Sequence, residues 1–120
     1  MANDFKSFSK TNIAIDSGTY STVYTVPYTA TPVEAILLEI DIANTHASND
    51  ITVDVKVNKN SGGTGGTDDI FIVKAAPIPA GGTLKAISGQ KVVMEALDVL
   101  SVAASAATSA DALVSFLEDV

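Results

Sequence analysis

Between Ile51 and Asn58 the chain alternates without a break: Ile51, Val53, Val55 and Val57 are apolar, and Thr52, Asp54, Lys56 and Asn58 are polar. A period of two places every second side chain on one face, so this segment is a half-buried strand and cannot serve as an amphipathic helix. The same grammar precedes it. Ile36, Leu38, Ile40 and Ile42 share one parity, with Glu39 and Asp41 on the other, and a polar run from Asn44 to Asp50 separates the two segments. The pattern predicts an antiparallel hairpin with a long loop.

The flanks repeat it. Ser21 to Val26 is rich in Thr, Tyr and Val and stops at Pro27, which has no N–H for a ladder. Phe5 to Ile15 reads as an edge strand before the Asp16-Ser17-Gly18 turn. Ile70 to Lys74 reads as a strand ended by Pro77 and Pro79, and Thr83 to Ser88 with Lys91 to Glu95 as a hairpin about Ser88-Gly89-Gln90. Ser61 to Asp69, SGGTGGTDD, is a flexible loop. The C-terminal segment fits two templates. Leu113, Phe116, Leu117 and Val120 have helical spacing behind a Ser109 cap, and Ala103 to Ala107 favours helix. A strand from Asp111 to Glu118 would instead put Ala112, Val114 and Phe116 on one face. Turns every 8–12 residues predict an all-β fold, a single antiparallel β-sandwich, jelly-roll-like or immunoglobulin-like, of about eight strands. Residues 1–20 form an arm or edge strand, and 21–120 form the sandwich. Its expected core includes Ile36, Leu38, Ile40, Val53, Val55, Ile72, Val92, Val102 and Val114.

Composition removes most chemistry. The 120 residues include no Cys, no Trp and one His, and all seven basic residues are Lys. Disulfides, thiolate metal sites and cysteine nucleophiles are excluded. A net charge of −7 without Arg repels phosphate backbones, so nucleic acid is not an expected partner. No apolar run approaches the ~20 residues that span a bilayer as a helix, and the first ten residues lack a secretory h-region. The chain is therefore expected to be made in a cytoplasm and to need no membrane.

The remaining motifs fail on spacing. Gly62 to Gly66 lacks the Lys of a P-loop and is followed by Thr67-Asp68-Asp69. Asp50, Asp54, Asp68 and Asp69 are oxygen donors suited to calcium but without EF-hand spacing. His46 stands alone in a polar loop, and Ser7-Phe8-Ser9-Lys10 matches S-x-x-K without its companion motifs. No catalytic residues, cofactor or metal are expected. Only 18% of residues are charged while hydroxyl and amide groups carry the polar surface, a balance suited to strand faces packed against other subunits.

Taken together, several segments resemble a family of small virion structural proteins of tailed bacteriophages. They are MANDFKSFSKTNI, Thr22 to Pro27, Ile42 to Thr45, Ile51 to Val55, Ile72 to Lys74, Ala76 to Gly81, Lys91 to Glu95, Asp98 to Val102, Ser109 to Asp111, and Leu117-Glu118. Their order and spacing carry the similarity. The resemblance implies a non-enzymatic, all-β particle component present in many copies, and it favours a strand at the C-terminus. Leu97 departs from it, standing where such proteins carry Gly. The expected role is capsid decoration of the assembled head, with a neck, tail or baseplate adaptor as the alternative. A more distant alternative is a module whose Asn44–Asp50 and Ser61–Asp69 loops meet to grip a glycan or calcium. The expected partners are the major capsid protein or other virion proteins and further copies of the chain, as a homo-oligomer with a trimer favoured. Phe5, Phe8 and Tyr20 are the candidate capsid- or neighbour-contact residues.

Overall fold

The computed structural model describes residues 3–13, 20–27, 34–59, 68–106 and 109–119. Among the described residues there are eight strands: β1 (Asn3–Lys10), β2 (Ser21–Thr25), β3 (Glu34–Asn44), β4 (Ile51–Lys59), β5 (Asp68–Ile78), β6 (Thr83–Met94), β7 (Val99–Ala104) and β8 (Ala110–Asp119). They form two antiparallel four-stranded sheets, β1-β8-β3-β6 and β2-β7-β4-β5. The chain changes sheet at every connection except β4–β5. That order is a jelly roll, so the immunoglobulin-like variant of the expectation is set aside.

Apolar side chains from both inner faces fill the space between the sheets. Leu37, Ile40, Ile42, Val53, Val55, Leu100, Val102, Val114 and Phe116 are fully buried there. The β4 face is the one its alternation predicts, with Ile51, Val53, Val55 and Val57 all inward. β8 is a strand between β1 and β3, with Ala112, Val114 and Phe116 inward as its strand reading had them. Helical spacing loses because a central strand satisfies its backbone groups from both neighbours.

Three expectations are corrected. First, β3 and β4 do not pair; they lie in opposite sheets. The Asn44–Asp50 segment crosses the sandwich instead of turning a hairpin. Buried Asn44 holds the crossing, its Nδ2 donating to the carbonyls of Asn49 (2.9 Å) and Ile78 (3.0 Å) and its Oδ1 accepting from the His46 N–H. Second, Thr83 to Met94 is one strand, not a hairpin. Between the pairs Leu37↔Val92 and Glu39↔Ser88 the residues Gly89, Gln90 and Lys91 stand against the single Leu38, an irregularity taken up at a glycine without reversing the chain.

Third, the same irregularity resets the phase of β3. The register shifts between Leu37 and Glu39 against both β6 and β8. Ala35 and Leu37 face inward before it, Ile40 and Ile42 after it. Ile36 and Leu38, expected in the core, are therefore only half-buried, as are Ile72 and Val92, which pack against the core's margin.

β5 also runs further than expected, through Pro77 to Ile78. It is an edge strand, where a residue without an N–H costs no ladder bond on the open side. The Asp16–Gly18 turn and the Gly62–Gly66 loop lie outside the described residues.

Candidate interaction surface

Asn3–Lys10, the strand β1, belongs to the sandwich. β1 pairs with β8 through eight consecutive residues, Asn3↔Asp119 to Lys10↔Ala112. A strand alternates its faces, so Phe5, Ser7 and Ser9 look outward and Lys6, Phe8 and Lys10 lie on the inner-face side. Phe8 packs on Tyr24 (ring centroids 4.9 Å apart) and Phe116 (6.0 Å), joining the two sheets at this margin. Phe5 is 79% exposed.

Tyr20 lies elsewhere, over the outer face of the second sheet. Its hydroxyl donates to Asp54 (3.0 Å), the Lys56 ammonium sits 4.1 Å from its ring centre, and Phe71 meets it edge-on at 6.5 Å. The three candidate contact aromatics thus occupy three different surfaces and form no common patch.

Registers assemble a patch that spacing along the chain does not display. Phe5 is opposite Leu117, Leu117 is opposite Ile36, and Ile36 is opposite Val93. The four residues form one apolar row across all four strands on the outer face of the β1-β8-β3-β6 sheet, exposed at both ends, where Val93 is 57% accessible. The next row is polar, with Ser7, Ser115 and Glu39. Beyond it lie Ser9, Leu113, Asp41 and Lys85, where Lys85 pairs with Asp41 at 3.2 Å. An open groove of about 310 Å³ lies at this far end, between Ser9, Thr11, Leu113, Asp41 and Thr83. The four-residue apolar row, with exposed Leu113 beyond it, is the part of this surface that water disfavours.

The buried charges are structural. Asp54 fills the β-bulge where Lys74 and Ala75 stand against one residue of β4. Its carboxylate accepts the Ala75 N–H (2.6 Å) and pairs with Lys74 (3.2 Å), holding Ala75 at φ 53°. Glu118 is buried, takes the Tyr24 hydroxyl bond and pairs with Lys6 at 2.9 Å. Burial pushes its carboxyl up, but the Tyr24 and Lys6 bonds outweigh that and hold it below its ordinary value. Burial and Glu118 together raise the Tyr24 phenol far above its usual range. Asp98 accepts the Glu95 N–H (2.9 Å) and pairs with Lys59. Burial opposes the Lys59 charge, and Asp98 and Glu95 more than restore it, raising its pKa.

Of the two loops anticipated to grip a glycan or calcium, Asn44–Asp50 leads into the start of β4, and residues 61–67 of the other lie outside the described residues. His46 Nδ1 accepts the Ser48 and Asn49 N–H groups, capping its own loop. Asp50 accepts the Ala80 N–H, and Asp69 binds Lys56 and Asn58. Among the described residues no three His, Asp or Glu side chains cluster to hold a metal.

No family model and no curated relative matches the chain. One similar solved structure comes from a study of Bacillus endospore appendages as a family of disulfide-linked pili. It is 14% identical over 98% of this chain and 85% of its own, with a TM-score of 0.48.

Proposed function

We propose that this protein is a non-enzymatic structural component of a tailed-bacteriophage virion, a decoration protein that binds the outside of the assembled head in many copies. The observation that carries the reading is the apolar row Phe5–Leu117–Ile36–Val93, which crosses all four strands on the outer face of one sheet. Such a face suits repeated contact with a protein lattice better than capture of a small molecule. The jelly-roll order and the sequence resemblance to small virion proteins support it, the fold alone being shared by many functions. A protein that binds only the assembled lattice stabilises it by mass action, and several weak contacts per copy combine.

Gel densitometry of purified virions tests the proposal. Copies on the order of hundreds per particle, as lattice symmetry demands, are the expected result. About a dozen copies would place the protein at the neck or tail and refute decoration; absence from the particle would refute the virion reading. On isolated heads, Phe5→Ser with Val93→Ser should lower occupancy while leaving the far-UV circular dichroism unchanged.

A further inference from the structure

Among the described residues the sandwich has four edge strands, and three are interrupted. β2 is five residues long with a register shift, β5 carries the Ala75 bulge and Pro77, and β6 shifts register twice against β3. Bulges, prolines and short length protect sheet edges from pairing with other chains. β1 has none of these: its eight pairs with β8 are consecutive, and its other edge faces no strand among the described residues.

Lysines are the usual remaining protection, and β1 carries two. Lys6 is engaged by Glu118 at 2.9 Å, on its own chain. Lys10 and Asp4 are both exposed, six residues apart on the same face of the strand. A two-fold axis perpendicular to the sheet pairs β1 with a second β1 antiparallel and keeps both inner faces on one side. Centred on Ser7, it puts Asp4 opposite Lys10 of the second copy, and Lys10 opposite its Asp4. Centring on Lys6 opposes two like charges directly, and centring on Phe8 opposes Lys6 to Lys10. Centring on Phe5 shortens the overlap and takes Lys6 from Glu118. Charge complementarity selects Ser7, since opposite charges directly across a strand pair stabilise it and like charges destabilise it.

We infer that β1 is a self-association edge, at which a second copy of this chain adds its own β1 antiparallel about Ser7 to make one continuous eight-stranded sheet. The same register puts Phe5 opposite Ser9 of the second copy, at the rim of the groove beside Leu113, so the most exposed aromatic meets a concave apolar surface. Main-chain bonds supply the affinity, and the charges and Phe5 supply the register. The assembly is two-fold, in place of the three-fold anticipated from sequence.

Light scattering of the full chain at micromolar concentration should give about twice 12.3 kDa. Asp4→Lys or Lys10→Asp places like charges at both symmetric pairs and should weaken association at least about ten-fold, and the double swap should restore it. The chain has no cysteine, so one introduced thiol reports the register. Directly opposed residues have Cα atoms about 4.5–5.5 Å apart, within disulfide reach. Exposed Ser7→Cys should crosslink to a dimer under mild oxidation, and Phe5→Cys and Lys6→Cys should not. A 12.3 kDa or three-copy mass, a swap without rescue, or crosslinking through position 5 or 6 in preference to 7 would each overturn the inference.

Discussion

Replacing Leu37 and Leu38 by alanine, one at a time, separates the structure from the simple alternation of the sequence. By alternation Leu38 is a core residue on the face of Ile40, and Leu37 faces solvent. In the structure Leu37 is fully buried and Leu38, at the register shift, is half-buried. Removing a fully buried leucine side chain loses its transfer free energy and leaves a cavity, together about 2–5 kcal/mol. At Leu38 roughly half of a ~1.5–3 kcal/mol burial is at stake, and solvent fills the space, so the cost is about 1 kcal/mol. A domain of this size loses roughly 4 °C of Tm per kcal/mol, so Leu37→Ala should fall by about 8–20 °C and Leu38→Ala by about 4 °C. Urea unfolding followed by circular dichroism, with unchanged m values, gives the free energies directly. Equal losses, or a larger loss at Leu38, would refute the phase reset in β3 and the inward set Ala35, Leu37, Ile40 and Ile42.

Four further outcomes are expected. The carboxyl of Glu118 is held below its ordinary 4.5, so its contribution is complete above that pH and is lost as pH falls through the lower folded value; Lys6→Met should move acid unfolding to higher pH. The Tyr24 phenol is raised above its ordinary 10.0, so stability present below pH 10 declines as pH rises further, and Tyr24→Phe should flatten that alkaline limb in a pH series of melting curves. Leu97 has φ 68° at the third position of the Glu95–Asp98 turn, closed by the Asp98 N–H to Glu95 C=O bond at 3.0 Å, which is the left-handed site of a type II turn. Leu97→Gly removes a strain of about 1–2 kcal/mol and should be at least as stable as the parent by urea titration, whereas β-branched Leu97→Val should lose about 1 kcal/mol or more. Asp54→Ala removes the charged acceptor of the Ala75 N–H and should cost about 1.5–3 kcal/mol in the same titration.

What the sequence by itself determined is local. Period-two alternation in Ile51 to Asn58 makes a strand and names its inner face, because side-chain direction follows from the backbone of that segment alone. The missing cysteines and arginines and the single histidine narrow the chemistry without any structure. The phase change in β3 leaves one trace, the Leu37-Leu38 doublet, which breaks alternation without saying which leucine turns inward. Tertiary structure decided the rest. Alternation marks a half-buried strand but does not name its neighbour, so the β3–β4 crossover and the unbroken β6 follow only from which backbones satisfy one another. For β8, two templates competed until its ladders with β1 and β3 removed the helix. The apolar row joins positions 5, 117, 36 and 93, which share no spacing in the chain; only strand register, summed over three pairings, brings them side by side.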